Sequence, residues 1–370
     1  MTDKEKKSAK EPRFGSILRD DLRRGDFSQT MHRDYKELKD FFLDDNRKAR
    51  LKEMKWLKRV LFTFGWLIKA LFLKLTPARR LLLLLAFIII LAPHNYQYTG
   101  SVVQISIETS TIALLILIFI LMLELKDKLV ARDELEAGRA VQIALTPEKS
   151  PSIPGWSAWL FTRTANEVGG DLVDLQQLDT NRYRVSLADV AGKGLTAALL
   201  AAKLQATLRA LAPDHTSLAE LGTKLNKIFY RDSLRNFFAS LAYVEIETLS
   251  GSVRMINAGH FPPIHIKQSK SEETQKGDPA IGIFPEVSYN ERQLLLEPGE
   301  TLFIYSDGVT EAKNEEGEFF GVQRLMELLP RASGLTAEQA GEMIVANVDR
   351  FVGKARVYDD LSLVILQRKK

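Results

Sequence analysis

The feature that most limits the fold of this chain is a pair of long apolar runs, LLLLLAFIIILA at Leu81–Ala92 and ISIETSTIALLILIFILML at Ile105–Leu123. A helix needs about 20 consecutive apolar residues to cross a bilayer. The first run reaches that length only when Tyr96 and Tyr98 lie in the far membrane interface, where tyrosine is favoured. The second run is long enough by itself. We therefore predict a two-helix transmembrane hairpin over residues 79–124, with a helical hairpin buried in a soluble protein as the alternative.

Positive charges flank these runs on one side only. Arg79 and Arg80 precede the first run, whereas Lys126, Lys128 and Arg132 follow the second, and the loop between the runs has no Lys or Arg. Lys and Arg accumulate on the cytoplasmic side of membrane proteins. The pattern predicts a multi-pass protein of the inner membrane whose N-terminus and C-terminal domain both lie in the cytoplasm.

The N-terminal region, residues 1–78, is highly charged and includes a segment in which Trp and Phe are mixed with Lys and Arg, at Trp56–Leu75. Lys58, Arg59 and Lys69 would each cost roughly 2–3 kcal/mol near the centre of a bilayer. We therefore predict an amphipathic helix that lies in the membrane interface, with a third transmembrane span as the alternative. The basic charge fits an anionic lipid surface, and we expect no nucleic-acid partner.

A connector over residues 125–150 follows the predicted hairpin. Its apolar residues form an approximate helical stripe of Leu125, Leu129, Leu135, Val141 and Leu145. The stripe ends just before Pro147, as expected for the end of a helix. An amphipathic helix that pairs two copies of the chain as a coiled coil fits this pattern, and so does a solvated helical spacer.

The remaining residues, 151–370, alternate between strand-like and helix-like segments. Strand-like runs include RYRVSLADV, FASLAYVEIE, TLFIYSDG and LSLVILQ. Helical patterns fall at 194–211, 216–230, 321–331 and 336–352. Many strands of antiparallel type, with paired helices set between them, predict an α+β domain rather than a regular βαβ winding.

The absence of cysteine limits the chemistry available to this domain. The chain has no Cys and five His, none of them in an HExxH or HxxxH spacing. This composition excludes disulfides and cysteine nucleophiles and disfavours zinc sites, so a bound metal would need oxygen ligands, as Mg²⁺ or Mn²⁺ does. The stretch AGKGLTAALL is not a phosphate-binding P-loop, because Leu187 and Gly194 stand where that motif requires Gly and Ser or Thr.

Four aspartates lie where strand-like runs begin or end. They are Asp171, Asp189, Asp307 and Asp359, the last followed directly by Asp360. Strand ends at one edge of a sheet can bring distant positions together, and adjacent carboxylates stay ionised only when cations hold them. Taken singly, each has an ordinary alternative, because Asp is common in turns and at helix caps. The residues alone leave both a divalent-metal site and a set of turns open.

Five segments in this order carry a resemblance to a known family: EVGGDLVDLQQLD, LADVAGKGLTAALLAAKL, INAGHFPPIHI, LEPGETLFIYSDGVTEAKNEEGEFFG and DDLSLVIL. Together they resemble the SpoIIE/RsbU-type branch of the metal-dependent (PPM, type 2C-like) protein serine/threonine phosphatases. The resemblance covers about Leu145 to Lys370. It implies an α-β-β-α sandwich over 151–370, with two Mn²⁺ or Mg²⁺ ions in a cleft at the edge of the central sheets.

The same resemblance assigns metal ligands position by position. They would be Asp171, the bridging Asp189, the backbone carbonyl of Val190, Asp307 and Asp359. Asp360 would replace Asp359 if the register of the last motif shifts by one residue. Two such ions would lower the pKa of a bridging water, and the resulting hydroxide would attack the phosphorus of phosphoserine or phosphothreonine.

Other motif positions have weaker implied roles. Animal and plant relatives carry His where this chain has Ala191, so the general acid is unassigned. His260 in NAGHFPP is either that acid or a structural loop histidine, and Lys193 either attracts phosphate or faces solvent. We expect Asp174 and Glu311 to be structural.

By resemblance, the substrate would be a phosphoprotein, namely a STAS-type anti-sigma antagonist in a partner-switching pathway. The phosphatase domain that acts on it would be anchored at the lipid bilayer. The alternative hypothesis is a non-catalytic membrane scaffold that only binds partners, against which the four aspartates argue. A third hypothesis, a lipid-phosphate phosphatase, is favoured only by the predicted hairpin.

Overall fold

The computed structural model describes residues 31, 35, 38–39, 42–91, 95–99, 104–233, 236–267 and 270–370. The chain forms two compact units, one that ends at Lys128 and one over Leu129–Lys370. Residues 1–30 of the predicted N-terminal region, and parts of the loop between the two apolar runs, lie outside the described residues.

The first unit is built mainly from helices. These are α1 at Asp45–Glu53, α2 at Trp56–Lys74, α3 at Pro77–Leu91 and the beginning of α4, whose full range is Thr109–Leu145. Strands β1 at Asn95–Thr99 and β2 at Gln104–Glu108 pair antiparallel between α3 and α4. The predicted interfacial segment is thus helical, and its place at a membrane stays a prediction.

The second apolar run does not begin as a helix. Residues 104–108 form β2, and the helix starts at Thr109. Ile105 and Ile107 alternate with polar residues, and this period of two favours a strand over a helix. α4 then continues without interruption past residue 124 and ends just before Pro147. The predicted domain limits at 78, 124 and 150 stay a prediction.

Helix lengths bear directly on the predicted membrane hairpin. Among the described residues, one helical stretch, Leu195–Asp214, is long and apolar enough to cross a membrane by length and composition alone. It belongs to the second unit, where one face of it is buried in the core. α3 has 15 residues, about 22 Å of helix, and so falls short of a bilayer core of about 30 Å. The predicted hairpin is therefore not confirmed, and a multi-pass location in the inner membrane is not supported.

Large apolar side chains are nevertheless exposed on α3 and on the first half of α4. Leu81 on α3 is 69% exposed, and Leu121 on α4 is 67% exposed. Soluble monomers rarely expose apolar patches of this extent. Arg79, near the start of α3, joins these helices through ion pairs with Glu124 and Asp127, both with N···O distances of 2.6 Å.

The second unit is a sandwich of two antiparallel sheets. Its strands are β3 at Ser152–Ile153, β4 at Trp156–Arg163, β5 at Asp171–Gln177, β6 at Arg182–Val190, β7 at Ala239–Glu247, β8 at Ser252–Ala258, β9 at Ile264–Lys267, β10 at Lys270–Glu273, β11 at Arg292–Leu295, β12 at Thr301–Tyr305 and β13 at Leu361–Arg368. In the part of the chain that the structure describes, one sheet has the order β10-β9-β12-β13-β4-β3 and the other β11-β8-β7-β6-β5. Apolar side chains from both sheets, such as Trp156, Leu187 and Ile304, fill the space between them.

Helices cover the outer face of each sheet. They are α5 at Leu195–Leu211, α6 at Leu218–Asp232, the single turn α7 at Asp307–Thr310, α8 at Gly321–Leu328 and α9 at Ala337–Val352. α5 and α6 share a core with the sheet of β5 to β8, and α8 and α9 share one with the sheet of β12 and β13. The four layers confirm the predicted α+β sandwich. They also explain why strands such as β6 are buried on both faces rather than on alternate residues.

Local sequence signals start the covering helices close to where the sequence pattern predicts them. The Ser217 side chain accepts a hydrogen bond from the Glu220 N–H at the start of α6, and Thr336 and Gln339 form a reciprocal capping box at the start of α9. Gly194 precedes α5 with φ at 73°, a conformation that suits glycine. The chain therefore turns sharply between the end of β6 and α5.

Candidate active site

The register of one strand pair brings two of the predicted aspartates together. Asp171 opens β5, Asp189 is the second-last residue of β6, and the two are direct partners in this antiparallel pair. Directly opposed side chains in an antiparallel ladder have Cβ atoms about 4.5–5.5 Å apart. Val190 follows at the end of β6, and a Cβ built on Gly170 would lie 2.9 Å from its carbonyl oxygen. Because glycine has no Cβ, the backbone at position 170 can lie close to the Val190 carbonyl oxygen without a clash.

The other sheet supplies the remaining aspartates. Asp307 follows β12 by two residues, and Asp359 and Asp360 stand just before β13, its antiparallel neighbour. Ser306 links the two strand ends, because its hydroxyl donates to the Asp360 carbonyl at 3.2 Å and accepts from the Ser362 N–H at 3.0 Å. The adjacent ends of β12 and β13 thus carry carboxylates from positions about 50 residues apart in the sequence.

These carboxylates interact strongly with one another. Burial is the main cause that raises the pKa of Asp189 to about 7, and the charges of Asp307, Asp359 and Asp360 contribute to the rise. Burial together with the charges of Asp359 and Glu311 raises the pKa of Asp307 to about 6. Asp189 and Asp307, one from each sheet, therefore line the same cleft, and the charges of Asp359 and Asp360 act on Asp189 there.

Asp171 has the most buried of these carboxyl groups. Burial, followed by the charge of Asp189, raises its pKa well above the usual range, and the Ser362 and Ser306 hydroxyls offset part of this. Its Oδ2 atom is buried and has no hydrogen-bond partner among the described residues. A buried oxygen of this kind is costly unless a donor or a cation satisfies it.

Asp360 and its neighbour Asp359 have different surroundings. The Oδ2 atom of Asp360 accepts from the Gly170 N–H at 2.7 Å and from the Asp171 N–H at 3.4 Å, and its Oδ1 accepts from the Ala165 N–H at 2.8 Å. Asp359 is instead partly exposed. Asp360 is thus buried and occupied with three backbone hydrogen bonds, whereas Asp359 accepts one, from the Asp360 N–H at 3.1 Å, and its carboxylate reaches solvent.

Lys193 contacts the residues before β13. Its ammonium group donates to the Tyr358 carbonyl at 2.8 Å and lies 3.3 Å from Oδ2 of Asp359, and the side chain is 62% exposed. The two sequence-based alternatives for this residue are phosphate attraction and a solvent-facing role. The structure adds a third, in which Lys193 holds the segment that carries Asp359.

The donor set of the cleft fits a divalent cation of the magnesium or manganese type. Its oxygen donors are of the kind that hard ions prefer, and the orphaned Oδ2 of Asp171 and the mutual repulsion of the carboxylates both favour a bound positive charge. As the side chains stand, no group of three or more His, Asp or Glu residues in the described part of the chain is gathered into a coordination shell. The number and identity of the ions therefore remain part of a proposal.

His260 lies beside the same cleft but is poorly suited to give up a proton. Its Nδ1 atom lies 2.8 Å from the Ser240 hydroxyl, and its backbone N–H donates to Asn257 Oδ1 at 2.8 Å. Burial lowers its pKa to about 4, against an opposing effect of the Tyr305 carbonyl. The imidazole is therefore neutral near neutral pH, which favours the structural alternative over the general acid.

Ser240 is a cleft residue that the sequence pattern does not indicate. It is the direct partner of Asp189 in the β6–β7 pair and lines a cleft of about 450 Å³ together with His260, Asp189 and Asp307. Its only sequence signal is a hydroxyl near the start of a strand whose first half is otherwise apolar or aromatic. Asp174, by contrast, is structural as expected, because Arg209 of α5 donates to both of its oxygens.

Gln142 lies in the segment VQIALTP, which leads into the motifs that carry the family resemblance, but the motif pattern gives this residue no role. It lies near the end of α4, where its Nε2 donates to the Gly169 carbonyl at 2.7 Å and its Oε1 accepts from the Gly169 N–H at 3.2 Å. Gln205 of α5 holds the same helix end by donating to the Leu145 carbonyl at 2.9 Å. The end of α4 is thus tied to the backbone two residues before Asp171.

Comparisons with known proteins agree with this geometry. The sequence model of the family described as "Stage II sporulation protein E (SpoIIE)" matches residues 179–369. Phosphoserine phosphatase RsbU of Bacillus subtilis is 23% identical over 240 residues, which cover 64% of this chain and 71% of RsbU. Protein IcfG of Synechocystis is 27% identical over 273 residues, but the match covers only 43% of IcfG and 66% of this chain.

The fold is likewise that of a known class. The solved structure of the SiaA-PP2C domain of Pseudomonas aeruginosa superposes with a TM-score of 0.57 at 19% sequence identity, covering 65% of this chain and 98% of that domain. At this level of identity the likeness concerns the fold. It confirms the sandwich architecture that the sequence motifs imply.

We predict that, in buffer with a chelator, the free energy of unfolding falls as the pH rises from about 4 to about 7. The raised pKa of Asp189 in the folded state, about 7 against 3.8 for the unfolded group, means that the folded protein binds more protons over this range. Asp189→Asn should remove on the order of 1–3 kcal/mol of this fall, measured by urea unfolding at a series of pH values. Glu342→Gln, at an exposed position, is the matched control. An unchanged pH slope in Asp189→Asn would contradict the prediction.

We further predict that Gln142→Ala weakens binding of divalent cations. It would leave the Gly169 N–H and carbonyl without their side-chain partner, at a cost of about 1–3 kcal/mol, and loosen the backbone that leads to Asp171. Calorimetric titration of the full chain with Mn²⁺ should show a several-fold weaker affinity. Gln323→Ala, on the exposed face of α8, should bind Mn²⁺ as the parent does. Equal affinities in all three proteins would show that the Gln142 contact does not position the site.

Proposed function

The chain belongs to the SpoIIE family, and from this membership we propose that it is a metal-dependent protein serine/threonine phosphatase. The family model spans more than half of the chain, and the relative RsbU is named a phosphoserine phosphatase. The observation that carries the proposal is the convergence of Asp171 and Asp189 from one sheet with Asp307 and Asp359 from the other, with raised pKa values where burial and mutual charge act together.

The proposed site holds two Mn²⁺ or Mg²⁺ ions. Asp171, Asp189, Asp307, Asp359 and the Val190 carbonyl would be their ligands. When bound, such ions make water an effective nucleophile at neutral pH and offset charge on a phosphoryl group. Asp360 is the alternative to Asp359, but its backbone hydrogen bonds favour a supporting role in which it fixes the segment before Asp171.

The chain's own residues position the substrate and the site. The cleft beside Asp189 and Asp307 is open to solvent and is lined by Phe261 and Lys276, so a phosphorylated side chain on another protein can enter it. Ser240 presents a hydroxyl next to the carboxylates, and His260 holds this hydroxyl at 2.8 Å. No cysteine is available for a phosphoenzyme intermediate, in agreement with direct attack by water.

We propose a phosphoserine or phosphothreonine residue of a regulatory protein as the substrate, with a STAS-type anti-sigma antagonist in a partner-switching pathway as the specific candidate. The resemblance to RsbU supports this choice. The non-catalytic scaffold remains the alternative, and the retained carboxylates argue against it. A lipid-phosphate phosphatase has no support from the cleft, which belongs to a PP2C-like fold.

The enzymatic proposal predicts Mn²⁺-dependent hydrolysis of p-nitrophenyl phosphate and of a phosphoserine peptide by the full chain. Asp307→Asn should lower the rate at least about 100-fold, because it removes a charged ligand of the proposed ions. Asp232→Asn, which alters an exposed aspartate paired with Arg231, should keep the parent rate. Activity that survives Asp307→Asn would exclude the proposed centre, and turnover of phospholipid but not of phosphopeptide would support the lipid-phosphate alternative.

We also propose that the first unit attaches the protein to the inner membrane, with the phosphatase domain in the cytoplasm. The exposed apolar surfaces of α3 and of the first half of α4 support this, as does the mixture of aromatic and basic residues on α2. Arg79, Glu124 and Asp127 gather charge at one end of these helices. Pairing of two copies through the connector is part of the same proposal, supported by the exposed side chains of Leu129 and Val141.

The membrane proposal predicts that the full chain stays in the membrane fraction after extraction at high pH. An arginine that a helix carries into the apolar part of a membrane costs about 2.5–3.5 kcal/mol, so Leu84→Arg combined with Leu115→Arg should release the protein. Leu129→Arg, further along α4, is the control and should stay with the membrane. Recovery of the parent chain in the soluble fraction would show that the apolar helices have another partner.

A further inference from the structure

A second cavity, separate from the cleft that Asp189 and Asp307 line, is lined in part by Asp171. It has a volume of about 310 Å³ and is enclosed by the last turns of α4, the end of β4, the start of β5 and the middle of α5. All the residues that line this cavity belong to the second unit, Leu129–Lys370. The volume is at the small end of the range of ligand-binding pockets, which begins near 300 Å³.

The walls of this cavity are mostly apolar. Leu172 and Val173 of β5 and Ala201 of α5 are buried side chains that line it, with the half-buried Ala202 beside them. Ile143, on α4, contributes a large apolar side chain that is 63% exposed. The small alanines of α5 leave room between this helix and α4, and an apolar molecule in that room would cover surface that water now reaches.

The polar part of the cavity is predominantly basic. Arg139, Lys149 and Arg163 line it, against the single carboxylate of Asp171. Arg139 has no ion pair among the described residues, and Lys149 is held only by the face of the Phe161 ring, at 5.3 Å. The cavity therefore combines an apolar interior with positively charged groups that an anion can reach.

Arg163, at the wall of the cavity, has one buried N–H group without an acceptor among the described residues. Its two terminal nitrogens donate to Asp349 at 2.6 and 3.0 Å, outside the cavity. Its Nε, however, is buried and has no hydrogen-bond partner in the described part of the chain. A buried N–H of a charged group is unfavourable without an acceptor, and an anionic oxygen is the strongest acceptor for it.

We propose that this cavity binds a small amphiphilic anion, with its apolar body between α4 and α5 and its anionic group at Arg163. A medium-chain carboxylate of about eight to ten carbons has the size and polarity that the walls require. A free inorganic anion would leave the apolar walls uncovered, and a neutral alcohol of the same length would give the Arg163 Nε–H only a neutral acceptor, which binds a guanidinium more weakly than a carboxylate does. The site stands on the cavity itself and does not depend on the proposed phosphatase activity.

A ligand in this cavity would affect how firmly the end of α4 is held against the second unit's sheet and α5. The cavity wall includes Gln142, which holds Gly169, and Gln205, which holds the end of α4. A ligand that fills the space between α4 and α5 adds contacts to both helices in the folded state only. It therefore stabilises the docked position of the end of α4.

The test uses the full chain in lipid nanodiscs and an octanoate that carries a diazirine group. Illumination should attach the probe to peptides from the cavity, at residues 139–149 and 195–211. Excess octanoate should reduce this labelling at least about five-fold, whereas octanol and inorganic phosphate should not. Labelling confined to α2, α3 and the first half of α4, or equal competition by octanol, would overturn the proposal.

Two variants separate the cavity from general effects on folding. Ala202→Phe fills the space from a half-buried position, and Arg163→Gln removes the positive charge and the Nε–H, so each should lower cavity labelling at least about five-fold. Asp349→Asn is the matched control, because it breaks the same ion pair outside the cavity and should leave labelling unchanged. Thermal unfolding of each variant shows whether the fold is kept. If Arg163→Gln unfolds, Ala202→Phe decides, and full labelling of a folded Ala202→Phe protein would refute the site.

Discussion

The buried Asp360 carboxylate is the interaction on which the acidic cleft depends, because it joins the two sheets at their common edge. It stands before β13 of one sheet and accepts backbone hydrogen bonds from Ala165, Gly170 and Asp171, which lead into β5 of the other. A buried carboxylate is tolerated only when its hydrogen bonds are made, and here the backbone makes all of them. The contact therefore fixes where Asp171 lies with respect to Asp307, which follows a strand of the opposite sheet.

The remaining carboxylates are held in an arrangement that is unfavourable in itself. The strand register places Asp171 opposite Asp189, and the burial of both raises their pKa values. A fold selected only for stability would not collect acidic groups in this way, whereas functional sites often do. The cost is met by the surrounding structure, namely the core between the sheets and the helices that cover them. The end of α4 adds to this support through the amide of Gln142.

The accuracy of the sequence-based predictions differs from residue to residue for physical reasons. The strands, the α+β class and the aspartates at strand ends are local features of pattern and spacing, so the amino-acid sequence is enough to predict them. Asp359 and Asp360 cannot be told apart in this way, since neighbouring identical residues differ only in what the fold brings to them. β2 lies at the start of an apolar run that is long enough to suggest one helix. In a sequence reading the length of this run hides the short period-two pattern of Ile105 and Ile107, although the structure follows that pattern.

The sequence by itself determined which chemistry the chain can carry: oxygen ligands without cysteine, acidic residues at strand ends, and apolar helices before a mixed α+β domain. The tertiary structure alone decided how these parts meet. It set the register that opposes Asp171 and Asp189, placed the Asp360 carboxylate against backbone N–H groups, and buried His260, which lowers the pKa of this imidazole to about 4. It also brought Gln142 to Gly169. These outcomes rest on pairings between residues far apart in the chain. A shift of one residue in a strand pair would reverse the face on which a side chain lies, so they are fixed by the packed fold as a whole.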